Sequence, residues 1–295
     1  MMPPDAALIL GRFVYDGPAV LLWGAGGFLA VLLPQPLAAR IGARLSPAFT
    51  VAAVFAVAAA LVTLPLRAAM LGDGWADALD PATLRGVLFE TDLGLAWLVQ
   101  EAAALAALGA AFVPERWRTA ASALGGGAML MSLPLVGHAG MQQGGLGLIH
   151  RLNDGLHVLA GGFWLGALVP FVPLLARIDD PRDAAAANIA LRRFSNIGHA
   201  AVTLVILTGV ANAALILSGS SIDGASLYQR LLAVKIALVA GMVGLALLNR
   251  YVLVPRVSAR SGAVAAIRIG SLAEIALGIA VLALVAAFGM MDPAG

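Results

Sequence analysis

The chain is predicted to be an all-α membrane protein, a polytopic bundle of about eight transmembrane helices. Three observations carry this: 61% of its 295 residues are hydrophobic, only 12% are charged, and the charges are spaced so that long apolar runs separate them. Soluble domains carry roughly 25% charged residues, and half that supply cannot cover a globule of this size with polar surface. A soluble enzyme is thereby excluded. The chain has no cysteine, which removes disulfides, thiolate zinc sites and thiol nucleophiles and leaves histidine and methionine as donors for soft metals.

The spans follow from the charge map. Residues 17–39, 45–66, 119–150, 155–176, 194–222 and 275–291 contain no Asp, Glu, Lys or Arg, and each run is long enough to cross a hydrocarbon layer of ~30 Å as a helix. Two more apolar runs are each interrupted by a charge: about 92–113, broken by Glu101, and about 229–252, where Lys235 sits near one end. The expected spans are therefore about 7–33, 47–70, 92–113, 119–138, 151–176, 194–218, 229–252 and 266–290, joined by short loops into one transmembrane domain over 1–295. The first ten residues lack the basic start and small-residue cleavage site of a signal peptide, so they open the first span. Were that segment instead a short inserted helix, Arg12 and Asp16, four residues apart, would neutralise each other at its mouth.

Arginine sets the orientation. Arg40, Arg44, Arg116, Arg118, Arg177, Arg182, Arg192, Arg193, Arg250, Arg256, Arg260 and Arg268 all fall after odd-numbered spans, which marks that face as cytoplasmic. The opposite loops and tails carry Asp5, Asp73, Asp77, Asp80, Glu90, Asp92, Asp223 and Asp292. Both termini are expected outside, beside an acidic surface that concentrates cations.

Ionisable side chains at membrane depth are costly and face cavities or the bundle interior, so function is sought there. Span four ends at His138. A glycine-rich loop with Met141 follows, and span five opens with His150, Asp154 and His157. On a helix these three stand at i, i+4 and i+7 on one stripe, which Gly161 and Trp164 continue inward. A short hairpin brings the His138 imidazole to those of span five, with Asp154 as an acceptor orienting one ring. Imidazole suits copper, zinc, nickel or haem iron, and thioether favours Cu(I). Met70, Met141, Met290 and Met291 are expected at the outer ends, Met129 and Met131 on the approach to His138, and Met242 elsewhere. The plainer readings stand beside these: an interfacial imidazole bonded to a carbonyl, and methionine as a gap-filler. His199 lies about two turns into span six from the cytoplasmic side, as part of an inner gate or bonded only to its neighbours. Glu101 and Glu274 are the deepest acids, part of a cation path or bonded across the bundle to Asn212, Thr208 or a carbonyl. Lys235 reads as a snorkelling residue, and Gly162-x-x-x-Gly166 as a close helix crossing.

The segments Gly137-His138-Ala139, Asn153-Asp154-Gly155-Leu156-His157 leading to Gly161-Gly162-Phe163-Trp164-Leu165-Gly166, Arg193-Phe194-Ser195-Asn196-Ile197-Gly198, Thr208-Gly209-Val210-Ala211-Asn212, Tyr228 to Lys235, and Asn249-Arg250 before Pro255-Arg256 resemble the CopD/PcoD family of bacterial copper-resistance membrane proteins. The likeness is specific over 137–256 and looser before it. It implies an inner-membrane protein of eight helices with periplasmic termini, associated with copper uptake toward the cytoplasm. It also implies a small periplasmic copper carrier of the CopC type, which for this chain is a separate protein. His138 and His157 match the family's recurrent histidines, and Asp154, Trp164, Asn212 and Lys235 match other recurring positions.

Three functions are open at this point. In the first, His138, His157, Met141 and His150 hold copper at the outer face, and Asp154, Glu101, Glu274 or His199 offers steps across the membrane. The second is an electron carrier holding b-type haem between paired imidazoles. The third is a copper-docking subunit through which no ion passes. No nucleophile elbow, phosphate loop or HExxH zinc motif points to an enzyme, and nucleic acid is not an expected partner.

Overall fold

The computed structural model describes residues 2–137, 140, 142, 144–218, 224–256 and 262–291. Its elements are helical throughout the described residues. Helix α1 (Pro4–Gly27) continues through a wider turn at Phe28–Leu32, and α2 spans Leu37–Leu71. A short surface helix, α3 (Pro81–Glu90), precedes α4 (Asp92–Gly109) and α5 (Glu115–Ser132). The long helices α6 (Gly144–Leu175), α7 (Ala184–Ile216), α8 (Leu227–Leu248) and α9 (Gly262–Phe288) complete the bundle.

Seven of these helices are long and apolar enough to cross a membrane. The sequence leads one to expect eight. The difference is α5, whose 18 residues begin Glu115-Arg116-Trp117-Arg118, so its apolar part is shorter than a bilayer core requires. It nonetheless packs inside the bundle against α1 and α4. Helices α2 and α7 start about ten residues before the expected spans, and arginines in those added turns have partners. Arg40 of α2 pairs with Asp183 at the head of α7, and Arg193 of α7 donates to the Leu32 carbonyl at 3.3 Å.

Helix α1 lies at the centre, against α2, α5, α6 and α9. The fit relies on small residues, as expected where lipid removes the hydrophobic drive between helices. Ala53, Ala56 and Ala60 of α2 and Ala103, Ala104 and Ala107 of α4 are buried in one continuous core with Phe28, Leu29 and Leu130. The tightest crossing joins α1 to α6, where a Cβ built on Gly166 would stand 2.1 Å from the Val20 carbonyl oxygen. The outer pair differs in kind: α7 packs mainly on α6, and α8 on α9. Only 6% of the most apolar α8 window is buried, so this helix turns chiefly to lipid.

Outside the spans, Asp80 caps α3. Its Oδ2 accepts from the Thr83 amide and the Thr83 hydroxyl, each at 2.8 Å. These bonds hold the Asp80 carboxyl below the usual carboxylate range. A carboxyl with a depressed folded pKa stabilises above its unfolded value, and that contribution is lost as pH falls through the folded one. The protection of the Thr83 amide, its intrinsic exchange rate over the observed rate at the same pH, is therefore expected to fall on acidification, and in D80A at neutral pH. Equal protection in D80A and wild type would contradict the cap.

Candidate functional site

The helix ends that bear the two termini converge on a cavity of about 190 Å³. Helix α1 contributes Arg12, Tyr15 and Asp16, α2 Thr63 and Arg67, and α6 His150, Asp154 and His157. Asn212 of α7, Tyr228 and Lys235 of α8, and Phe288 of α9 close it. The expected stripe on α6 thus opens onto one space. Gly161 and Trp164, one and two turns further along, line a second cavity of about 140 Å³, which shares Asp16, His157, Val158 and Lys235 with the first. A third, of about 320 Å³, shares Trp164 with the second and is lined by Phe194, His199, Asn249, Arg250, Ser271 and Glu274 at the opposite end of the bundle. Three spaces therefore lie in series between the terminus-bearing end and the arginine-rich end.

The hydrogen bonds decide which ring nitrogens are available. Nδ1 of His157 lies 3.0 Å from Thr208 Oγ1, and that hydroxyl donates its single proton to the Leu204 carbonyl. The imidazole must then donate through Nδ1, and Nε2 carries the lone pair that a metal would take. Nδ1 of His150 lies 3.0 Å from Gln142 Oε1. Because the Gln142 amide nitrogen donates to the Leu215 carbonyl, its oxygen faces the ring and the ring donates here too. His150 is 1% exposed. Asn212 donates to Asp154 Oδ1 at 2.8 Å and accepts from Asn153 at 2.7 Å, so α6 and α7 are stitched together directly behind the histidines.

The other expected residues divide. His138 and Met141 lie outside the described residues. His199 has both nitrogens engaged, Nδ1 with the Ser195 carbonyl and Nε2 with the Tyr251 hydroxyl, each at 3.0 Å, which is the neighbour-bonded alternative. Glu274, 2% exposed, accepts from Asn249 at 2.9 Å and from Trp164 Nε1 at 3.3 Å. Its partners are thus not Asn212 or Thr208, which serve the histidine stripe. Glu101 is buried beside Tyr15, and its Oε2 has no hydrogen-bond partner among the described residues. Its neighbour Gln100, rather than Glu101, lines the first cavity. Among the described residues no group of three or more histidines or acids is arranged to hold a metal ion.

Several features were not legible beforehand. Lys235 does not snorkel outward: it lines the first two cavities, with Nζ 5.9 Å from the centre of the Phe288 ring. Arg67, just past the charge-free run 45–66, turns into the first cavity, and only its depth in an apolar helix could have flagged it. Arg12 and Asp16 belong to a full-length helix rather than to a short inserted one. No described methionine lines the first cavity, whereas Met242, expected to be elsewhere, lines the second.

Fold and site together define a polytopic helical membrane protein with inward-facing imidazoles beneath one end and cavities in series through its bundle. The chain belongs to the copper resistance protein D family. Residues 2–148 match the model described as Copper resistance protein D-like, N-terminal domain, and residues 188–288 match Copper resistance protein D. The histidine stripe on α6 falls between the two matches. The chain is 33% identical to Copper resistance protein D of Pseudomonas syringae pv. tomato over 307 residues, covering 98% of this chain and 97% of that one. It is 33% identical to Inner membrane protein YebZ of Escherichia coli (strain K12) over 245 residues, covering 83% of each. It is 29% identical to Copper transport protein CutJ of Bacillus subtilis (strain 168) over 240 residues, covering 78% of this chain and 42% of that longer protein. No solved structure matches the chain significantly. The family is described by copper resistance rather than by a catalysed reaction.

Proposed function

We propose that this protein takes copper at the cavity beneath its terminus-bearing end and passes it through the bundle toward the cytoplasm. It sits in the inner membrane, as the name of its Escherichia coli relative says of that protein, with both termini periplasmic. The orientation rests on the arginines that crowd the opposite end. One observation carries the reading: three cavities in series share walls, and His157, with its Nε2 lone pair, belongs to both the first and the second.

His157 and His150 supply imidazole on α6, and His138 and Met141, which lie outside the described residues, are the further donors the sequence suggests. Asn212 and Thr208 hold Asp154 and His157 in place from α7. Beyond His157 the ion meets Trp164, which separates the second cavity from the third and is tied to Glu274. Glu274 is the anionic group that receives a cation past that ring, and His199 takes no part. Copper reaches the outer end from a separate periplasmic carrier of the CopC type. Haem, the other ligand that paired imidazoles suggest, draws no support from the relatives.

Copper uptake into proteoliposomes tests the reading. Wild-type protein is expected to load the lumen well above protein-free vesicles. E274Q is expected to slow loading about tenfold or more while the copper bound by the detergent-purified protein stays at the wild-type level. Lumenal copper no higher than in empty vesicles would make the chain a docking subunit instead.

A further inference from the structure

The first cavity contains more positive charge than a cation path explains. Arg12, Arg67 and Lys235 face Asp16 and Asp154 across it. Neither arginine forms an ion pair among the described residues. Among the described residues Arg12 has one weak hydrogen bond, from Nη1 to the Gly289 carbonyl at 3.4 Å. Nε and Nη1 of Arg67 are buried without a hydrogen-bond partner among the described residues, and the charge acting on Arg67 is the like charge of Arg12. Asp16, the nearest acid on α1, interacts with Arg12. A buried guanidinium with unpaired N–H groups beside a second guanidinium is unfavourable by itself. It becomes favourable when an anion accepts from both, because the planar fork presents adjacent donors to one acceptor group.

We propose that the Arg12–Arg67 corner of this cavity is a binding seat for a small free anion, a halide or an oxyanion. The anion takes the open Nε and Nη1 donors of Arg67 and screens Arg12. With the seat filled, the balance of the lining no longer repels an incoming cation, so anion and metal would bind with mutual assistance. The seat itself does not depend on the copper reading and is tested with no metal present.

The probe is radioactive chloride, bound at equilibrium by the full chain in a phosphate-free detergent, with nitrate, acetate and phosphate as competitors. Saturable binding that competitors displace is expected. R67Q and R12Q should each weaken it tenfold or more, with R67K falling between, all in preparations that elute as the wild type does on size exclusion. Absence of saturable binding by the wild type, or wild-type affinity retained in R67Q or in R12Q, overturns the proposal. Two other results also overturn it by naming a different occupant. Chloride binding that appears only in D292N means that the carboxylate of this residue, which lies outside the described ones, fills the seat. Binding that vanishes when phospholipid is added back means that a lipid phosphate does.

Discussion

Purified protein in which His138 and His157 are both alanine is expected to lose most of its bound copper, with affinity falling on the order of a hundredfold. Removing an outer partner of a metal-binding histidine typically costs 10–100-fold, and removing the imidazoles themselves should cost at least that. The partner offers an internal comparison. Thr208 fixes the tautomer of His157 by accepting from Nδ1, so T208V should weaken copper binding about tenfold and leave the stoichiometry unchanged. The order matters as much as the size: the double alanine variant must exceed T208V. Unchanged affinity and stoichiometry in the double variant, measured by equilibrium dialysis with metal analysis, would remove the histidines from the copper site. An intense Soret absorption band in the same preparations would move them to haem.

The parts of this site that the sequence made legible are those set by one helix alone. His150, Asp154, His157, Gly161 and Trp164 follow the helical repeat, and a single face of α6 necessarily carries them to the same side. The structure places all five along the first two cavities. What sequence left open depends on neighbours that local periodicity does not encode. Arg67 sits one turn from the end of α2 and Lys235 about two turns into α8, within reach of water outward or of a cavity inward for a long cationic side chain, and only the arrangement of α1, α2 and α8 around the space turns them inward. The same holds for Asn212 and Thr208. Both were visible as polar residues in an apolar span, yet their partners on α6 emerge only when α6 and α7 pack. Helices also run beyond the expected spans where charges were read as limits. Arg40 and Arg193 lie inside helices, where Asp183 and a free carbonyl meet them. The loop methionines promised a thioether site, but the described wall of the first cavity is built from imidazole, hydroxyl, carboxylate and guanidinium.

The largest structural effect is expected from G166V. The α1–α6 crossing brings backbone against backbone: a Cβ on Gly166 would meet the Val20 carbonyl oxygen at 2.1 Å and the Gly24 Cα at 2.9 Å, and one on Gly24 would meet the Gly166 Cα at 2.6 Å. No side chain at the contact can rotate away, so the helices must part. Over-packing a tight interior typically costs about 1–3 kcal/mol, and a contact made entirely by main chain belongs at the upper end of that range or beyond it. Parting α1 from α6 also moves Asp16 and Arg12 away from His157, since the same two helices form facing walls of the first two cavities. G166V is therefore expected to lower thermal stability in detergent and to weaken copper binding together, although residue 166 lines neither cavity. G161A supplies the control. A Cβ at Gly161 finds its nearest neighbour, Val205 Cγ2, at 3.7 Å, an ordinary contact, so that variant should unfold at close to the wild-type temperature. If G166V and G161A melt alike, the close crossing of α1 and α6 is not what holds the cavities in register.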